Sequence, residues 1–290
     1  MQKWWMSVVR MRRGTRGPLR SLATLLVLIA VVPGAAAIAT AGRGADGEYE
    51  ERRSSHFVLY QDVDIDRTSG FYGSRRFEKQ VLDVLEGAYR RLEAAIGLRP
   101  RDAIVVTIHD PDVFAERFTG LFRFPAAGFY GGTIHVRGDT QVTNALIRVL
   151  HHELVHAAFD QALPRVALPA WFNEGVAEWF EARALGLHHL VPGQKRVLRQ
   201  IASQEQLFSL AQLSSRALGH LAPRDAQLAY LQSHAFIDYL ASVRGDRRLR
   251  DLCRRVARTG DLADAVRRIY RGDVSRLEED FATALRRGSY

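Results

Sequence analysis

The sequence predicts an α+β fold, in which a small mixed sheet with an edge strand over a central helix precedes a mainly helical C-terminal region. Two observations lead to this prediction. In the first half of the chain, short β-prone runs alternate with stretches of helical periodicity. Beyond Pro192, apolar residues recur at helical spacing to the end of the chain. The 290 residues, of which 47% are hydrophobic, suffice for one large or two small packed domains.

The predicted strands are three β-prone runs, His56–Tyr60, Ala103–His109 and Gly128–Arg137. The second run is continuously apolar, which is typical of a central strand. The third contains a glycine pair and then a short β-prone stretch, which indicates a turn into a strand at a sheet edge. Between the first two runs, apolar residues from Phe77 to Ile96 recur at helical spacing, and Gly97 supplies a stop signal.

Two helices are predicted in the middle of the chain. The first runs from Thr140 to about Phe159, with Asp139 or Thr140 as its N-cap. A segment with two prolines then breaks the helical pattern. The second helix covers Trp171–Leu185, and the aromatic residues at its start are expected to pack in the core.

The N-terminal segment carries most of the positive charge of the chain, whose net charge is +9. Residues 1–41 contain six basic residues and no acidic residue, which leaves 35 basic against 32 acidic residues elsewhere. A basic stretch followed by an apolar run from Ser21 to Ala41 is typical of a secretory signal peptide. If the segment is not cleaved, residues 22–41 form a membrane anchor. We therefore expect an exported protein, periplasmic or otherwise extracytoplasmic.

These patterns divide the chain into four parts. Residues 1–41 form the signal peptide or anchor, 42–53 a polar linker, 54–200 an α+β region and 201–290 a helical region. Because the basic excess belongs mainly to the translocated segment, nucleic acid is not an expected partner. The oligomeric state is left open by the sequence.

The strongest chemical signal is His152-Glu153-Leu154-Val155-His156 on the first central helix. Residues four apart lie on the same helical face, so both imidazoles can bind one metal ion. The glutamate between them points about 100° away, where it can act as a general base beside the open coordination position. A helical histidine pair can also be a solvated surface feature. The single cysteine in the chain excludes both a disulfide framework and a cysteine-rich zinc finger.

The second central helix offers carboxylates to complete such a site. A catalytic zinc ion needs three protein ligands and one open position, and Glu174 would be the third ligand. Glu178, one turn further on, can accept a hydrogen bond from the second nitrogen of a ligating histidine. Glu178 or Glu181 can also replace Glu174 as the ligand, so the third position stays open at this point.

Together, the H-E-x-x-H motif and the downstream segment from Trp171 to Glu181 resemble the gluzincin zinc metallopeptidases. This superfamily includes thermolysin and the aminopeptidase N-like enzymes, and the resemblance is closest to small peptidase MA-like domains. It is specific over residues 128–181 and extends more weakly over 56–240. The resemblance implies that His152, His156 and Glu174 bind Zn²⁺ and that Glu153 is the catalytic base. The 17 residues between His156 and Glu174 are slightly fewer than is usual in the superfamily.

The resemblance also implies roles for residues outside the two motifs. Tyr230 or His234, one helical turn apart, would stabilise the oxyanion of the tetrahedral intermediate, although Tyr230 fits a packing role equally well. The strand Thr133-Ile134-His135 would pair as a sheet edge with the substrate backbone. This strand lacks the carboxylate with which related aminopeptidases hold a free N-terminus, so we expect an endopeptidase.

The sequence therefore predicts an exported, zinc-dependent metallopeptidase that acts on a peptide or protein substrate. Two alternatives of the same fold remain open. One is a non-catalytic zinc-binding scaffold of the cell envelope, and the other is a membrane-anchored interaction protein. The presence of Glu153 favours the enzyme, because a site that only binds metal has no need of a general base.

Overall fold

The computed structural model describes residues 49–63, 65, 73–122, 126–215 and 217–290. The predicted signal peptide or anchor and most of the predicted linker lie outside these residues. The strands are β1 (Glu50–Arg53), β2 (Phe57–Gln61), β3 (Ile104–His109), β4 (Gly128–Tyr130) and β5 (Ile134–Arg137). The helices are α1 (Gly73–Ile96), α2 (Pro111–Arg117), α3 (Asn144–Ala162), α4 (Ala170–Ala184), α5 (Pro192–Ser203), α6 (Pro223–Arg244), α7 (Asp246–Thr259), α8 (Leu262–Tyr270) and α9 (Val274–Arg287), with a 3₁₀ turn at Gln212–Ser214.

The five strands form one mixed sheet in the order β1-β2-β3-β5-β4. The three central strands are parallel, and β1 and β4 pair antiparallel to them at the two edges. Strand β3 lies at the centre, as its continuous apolar run predicts. The α+β fold with a small mixed sheet and a mainly helical C-terminal region is confirmed. Residues 50–53, which the sequence assigns to a linker, are instead strand β1.

Helix α3 lies against one face of the sheet and is buried along most of its length. Its N-cap is Thr143, whose hydroxyl accepts a hydrogen bond from the Leu146 backbone N–H. The predicted cap at Asp139 or Thr140 is therefore wrong. The Asp139 carboxylate accepts the N–H of its neighbour Thr140 and caps no helix. The helix begins at Asn144, later than the sequence predicts, and ends at Ala162.

The helical C-terminal region shares its core with the sheet region. One hydrophobic cluster of the described residues extends from β2 to α9 and crosses residue 200. Aromatic rings connect its helices: Trp171 on α4 meets Phe236 on α6 edge-to-face at 5.3 Å, and Phe236 meets Phe281 on α9 at 5.4 Å. These contacts fix α4, which carries the predicted third metal ligand, against the C-terminal helices.

Helices α4 and α6 come close together at Gly175. A Cβ atom at this position would lie 2.6 Å from the Ser233 carbonyl oxygen and 2.8 Å from Ile237 Cγ1. Both atoms belong to α6, and one of them is backbone that cannot turn aside. Glycine is therefore required for the distance between the two helices, directly after Glu174.

We expect Gly175→Ala to lower the free energy of unfolding by about 1–3 kcal/mol, because the added methyl group would push α4 away from α6. Urea denaturation monitored by circular dichroism measures this change. The matched control is Gly87→Ala in α1, where the nearest atom to the added Cβ lies 3.7 Å away. This control should stabilise the protein by about 0.5–1 kcal/mol. Equal effects of the two changes would contradict the proposed role of Gly175.

Candidate metal centre

Helix α3 presents His152 and His156 side by side. Their ring centroids are 4.9 Å apart, as expected for residues one helical turn apart. The side chain of His152 is 9% exposed and that of His156 12% exposed. The neighbouring His151 is fully buried, where Arg91 Nη2 donates to its Nε2 and its Nδ1 donates to the Ile147 carbonyl. The histidines of this segment are therefore not a solvated surface feature.

Helix α4 brings the Glu174 carboxylate to both imidazoles. Glu174 Oε2 lies 3.2 Å from His152 Nε2 and 3.5 Å from His156 Nε2. The sequence left Glu178 and Glu181 open as alternatives to Glu174. Neither of them forms a metal-capable group with both histidines among the described residues, whereas Glu174 does.

These distances match the edge of a tetrahedral zinc site. Two ligands at Zn–N or Zn–O bond lengths of about 2.0–2.1 Å and a tetrahedral angle lie about 3.3 Å apart. Two imidazole nitrogens and one carboxylate oxygen are also a ligand set that zinc accepts when it retains an open position. The residues present therefore fit a zinc ion without rearrangement of the helices.

A buried ion pair orients the His152 ring. Glu181 Oε2 lies 3.2 Å from His152 Nδ1, while Glu181 Oε1 accepts hydrogen bonds from Nε and Nη2 of Arg148. Because Nδ1–H donates to this carboxylate, Nε2 is turned toward Glu174 and toward the position where a metal ion would bind. The sequence predicted that Glu178 accepts a hydrogen bond from the second nitrogen of a ligating histidine. This prediction is wrong, because the acceptor is Glu181, at Nδ1 of His152. Glu181 follows Glu174 by seven residues, which is nearly two full helical turns, so it points more nearly in the direction of Glu174 than Glu178 does.

The carboxylates of α4 shape the electrostatics of this site. Burial opposes the ionisation of Glu174, but the two histidines outweigh this effect and hold the pKa of its carboxyl well below the usual range. Burial lowers the pKa of His152, but hydrogen bonds to Glu174 and Glu181 raise it further, to well above its usual value. Burial and the nearby Glu181 carboxylate raise the pKa of Glu178 to about 8. The two histidines, whose pKa values are both raised, thus partly balance the negative charge of these carboxylates.

Glu153 and the two predicted oxyanion residues face the same cleft, which has a volume of about 760 Å³. Burial raises the pKa of the Glu153 carboxyl, although the two histidines partly offset it. Burial and the carboxylates of Glu174, Glu178 and Glu153 raise the pKa of Tyr230. Burial lowers the pKa of His234 to about 4. The structure therefore brings together all the residues predicted for the chemical step.

The strand predicted to bind substrate is not the edge strand. Ile134 and His135 on β5 pair with β3 on one side and with β4 on the other. Thr133 precedes β5, and its carbonyl accepts the N–H of Gly131 within the turn. The prediction that Thr133, Ile134 and His135 pair with the substrate backbone is therefore wrong. The edge is β4, which lines the cleft with Gly128, Phe129 and Tyr130.

His135 instead belongs to a row of side chains on the far face of the sheet. Its Nδ1 lies 3.0 Å from Nε2 of the buried His109, and His109 Nδ1 lies 3.2 Å from the Tyr49 hydroxyl. Aromatic rings of Phe118 and Phe129 pack around the pair. These contacts indicate that His109 and His135 have a structural role.

Three further side chains of the cleft were not singled out in the sequence: Arg148, Tyr130 and Asp160. Arg148 precedes His152 by four residues and Asp160 follows His156 by four, so helical spacing alone places all four on one face of α3. Tyr130 carries no such signal, because its position depends on the pairing of β4. The Tyr130 hydroxyl donates to Asp160 Oδ2 at 2.8 Å.

Comparison with known families agrees with this geometry. The family model of the Peptidase MA superfamily matches residues 89–287, which is more than half of the chain. The chain belongs to the Peptidase MA superfamily. The match extends from within α1 through α9 and includes the metal centre together with the C-terminal helices. No curated protein matches the chain.

Membership of the Peptidase MA superfamily indicates a metallopeptidase-like fold and a peptide or protein as substrate. The possible metal-binding groups of the described residues all include His152. Within the described part of the chain, no helix is both long enough and apolar enough to cross a bilayer.

We expect Glu181→Gln to lower the affinity of the site for zinc by about 10- to 100-fold, because the amide cannot orient and polarise His152 as the carboxylate does. Competition with a fluorescent zinc chelator measures the dissociation constant. Glu178→Gln is the matched control on the same helical face. With a pKa of about 8, the Glu178 carboxyl is already neutral at pH 7, so its amide should change affinity much less. A larger loss in Glu178→Gln would contradict this assignment.

Proposed function

We propose that this protein is a zinc-dependent metallopeptidase that cleaves peptide bonds within polypeptide chains. One observation carries the proposal: Glu174 Oε2 lies within 3.5 Å of both imidazole Nε2 atoms, in a cleft that Glu153 also lines. A metal ion held only for structure is normally closed off by four protein ligands. Three converging ligands, a carboxylate base and an open cleft are the arrangement expected of hydrolysis.

His152, His156 and Glu174 would hold the ion, with Glu181 and Arg148 fixing the first of these rings. When bound, zinc polarises the carbonyl of the substrate and lowers the pKa of a water molecule at its open position. All three ligand side chains are nearly excluded from solvent, which strengthens their interactions with charge.

Glu153 acts as the general base. It follows His152 directly on α3 and therefore faces the cleft beside the ligands instead of pointing at the metal position. Its carboxylate accepts a proton from the attacking water and later delivers it to the leaving amine. Burial raises the pKa of this carboxyl, which brings it closer to the value needed for both steps at neutral pH.

Tyr230 is the better candidate for the oxyanion donor. The carboxylates whose charges act on Tyr230 are those of Glu174, Glu178 and Glu153, a set that includes the proposed base and a proposed metal ligand. The charges that act on His234 are those of Asp238, Glu181, Arg183 and Arg148, a set that includes neither of these two. Because the pKa of Tyr230 is raised, its hydroxyl stays protonated and can donate to the oxyanion.

The free edge of β4 is where the substrate backbone would bind. This strand lines the cleft along α3, and an extended peptide can add to such an edge by main-chain hydrogen bonds. The strand itself offers no carboxylate to hold a free N-terminus. Both features support cleavage within a chain.

We also propose that the protein acts outside the cytoplasm, as the basic and apolar pattern of residues 1–41 suggests. The N-terminal residue of protein recovered from cells tests this. A start near residue 42 would support a cleaved signal peptide, and an intact N-terminus in the membrane fraction would support an anchor. An intact N-terminus in the cytosolic fraction would contradict export.

Glu153→Gln should lower kcat by about 10²–10⁴-fold, because it removes the proton acceptor. The assay uses the zinc-loaded protein and a quenched-fluorescence peptide mixture, with zinc content from mass spectrometry. Zinc should stay bound in Glu153→Gln and be lost or weakened in Glu174→Ala. The control is Glu116→Gln, an exposed position outside the cleft, which should match the wild type. Full activity of Glu153→Gln would contradict the mechanism, and a zinc-loaded wild type without peptidase activity would favour a binding scaffold.

Tyr230→Phe should lower kcat by about 10²–10³-fold with little change in zinc content, since it removes one donor to the oxyanion. His234→Gln should have the smaller effect of the two. Steady-state kinetics with a single peptide from the mixture separates kcat from KM. A larger loss of kcat in His234→Gln than in Tyr230→Phe would show that His234, and not Tyr230, is the oxyanion donor.

A further inference from the structure

Asp160 lies on the wall of the cleft, one helical turn beyond His156. Four residues of α-helix span about 6 Å along the axis, which is close to the spacing of successive residues on one face of an extended peptide. The Asp160 side chain is exposed and lines the same cleft as the predicted metal ligands. Its carboxylate is thus positioned to meet a substrate side chain near the scissile bond.

Tyr130 holds the carboxylate in place. Its hydroxyl donates to Asp160 Oδ2 at 2.8 Å and ties the end of strand β4 to the end of helix α3. Burial and the Asp160 carboxylate raise the pKa of Tyr130, so the hydroxyl stays a donor over the physiological range. Oδ1 of Asp160 makes no hydrogen bond within the described part of the chain and remains open to the cleft.

No basic side chain of the described residues neutralises Asp160. Arg148, the basic residue that lines the cleft with it, is paired with the buried Glu181. Arg165, in the turn after α3, is exposed and pairs with no carboxylate of the described part of the chain. The Asp160 carboxylate is therefore compensated by no described side chain, and a cationic group of a substrate can pair with it.

Apolar side chains line the cleft together with this carboxylate. Val166 is 45% exposed, an unusual degree for a large aliphatic residue of this protein, and Leu168 lines the cleft beside it. Aliphatic side chains and an exposed carboxylate in one cleft match the side chains of lysine and arginine, which have an apolar stem and a cationic head.

The direction of β4 indicates which part of the substrate reaches Asp160. A Cβ at Gly128 would lie 2.6 Å from Val149 Cγ1 in the first half of α3, whereas Tyr130 reaches Asp160 near its end. Strand β4 therefore runs in the same direction as α3. A substrate strand antiparallel to β4 would place the residues before its scissile bond at the Asp160 end.

We infer that Asp160, positioned by Tyr130, forms a subsite for a lysine or arginine side chain on the N-terminal side of the scissile bond. This inference rests on the proposed peptidase function and adds the substrate class to it. The carboxylate acts on specificity and takes no part in the chemical step. A glutamate at the same substrate position would be rejected by charge repulsion.

The test uses quenched-fluorescence peptides that are acetylated at the N-terminus and amidated at the C-terminus. They differ only in one residue before the scissile bond, which is lysine, arginine, norleucine or glutamate. The wild type should cleave the lysine and arginine peptides with a kcat/KM about tenfold above that of the norleucine peptide. This ratio should fall to about 1 in Asp160→Asn and fall partly in Tyr130→Phe. The control Asp225→Asn, an exposed position outside the cleft, should keep the wild-type ratio.

A second measurement separates this inference from the proposed function. In the zinc-loaded Glu153→Gln protein, fluorescence anisotropy gives the affinities for the same peptides, and the preference for lysine should again depend on Asp160. If this preference appears without cleavage by the wild type, the subsite stands and the peptidase proposal fails. If the wild type cleaves the peptides but shows no Asp160-dependent preference for lysine or arginine, the inferred subsite is overturned and the proposed peptidase function is unaffected.

The α-amino group of the substrate is a second source of a cation, besides a side chain. Peptides with a free N-terminus at the residue before the scissile bond test this source. If they are cleaved much faster than their acetylated forms, and only when Asp160 is present, then Asp160 binds the chain terminus and the inference of a side-chain subsite is overturned. Equal rates with and without acetylation support the side-chain subsite.

Discussion

The candidate site depends on the charge that is buried between helices α3 and α4. Four carboxylates, those of Glu153, Glu174, Glu178 and Glu181, lie nearly out of contact with solvent, and Arg148 is the one permanent cation close to them among the described residues. Uncompensated buried charge is strongly destabilising. Raised pKa values of the two histidines and of Glu178 favour their protonated forms and so reduce the imbalance. A divalent cation, which we propose binds here, would neutralise the same negative charge.

The same ion pairs that compensate the charge also fix the geometry. Glu181 connects Arg148 and His152, which lie one turn apart on α3, to the second half of α4. Glu174, two turns earlier on α4, meets the opposite nitrogen of the His152 ring. The ring is therefore held from both sides, so its ligand nitrogen is oriented before any metal binds. Such preorganisation reduces the reorganisation required for binding and for catalysis.

The sheet contributes the other wall of the cleft. Strand β4 pairs antiparallel to β5, and no further strand of the described residues pairs with its outer edge, which lines the cleft beside α3. Glycine at position 128 permits this close approach, since a Cβ would meet both Val149 and the His135 carbonyl oxygen. A strand edge, the proposed carboxylate base and the proposed metal ligands thus lie on three neighbouring elements, β4, α3 and α4.

The sequence by itself determined the features that depend on local periodicity. The spacing of His152 and His156 places both rings on one helical face wherever the helix lies, and the apolar run of β3 predicts a central strand. The order of the elements likewise predicted the α+β fold, and the H-E-x-x-H motif together with the segment from Trp171 to Glu181 carried the resemblance to the metallopeptidase superfamily. Asp160 was accessible to the same reasoning, because it continues the face of His152 and His156 by one further turn.

Only the tertiary structure decided the features that depend on contacts between elements. Which carboxylate of α4 orients His152 depends on how the two helices cross, and the contact falls at Glu181 instead of Glu178. Which strand is the edge depends on hydrogen bonds between distant segments, so β4 replaced the predicted Thr133–His135. Helical periodicity determines on which face of a helix a side chain lies. Which residues of other elements contact that face depends on helix packing, here of α4 against α6 at Gly175 and of α4 against α3.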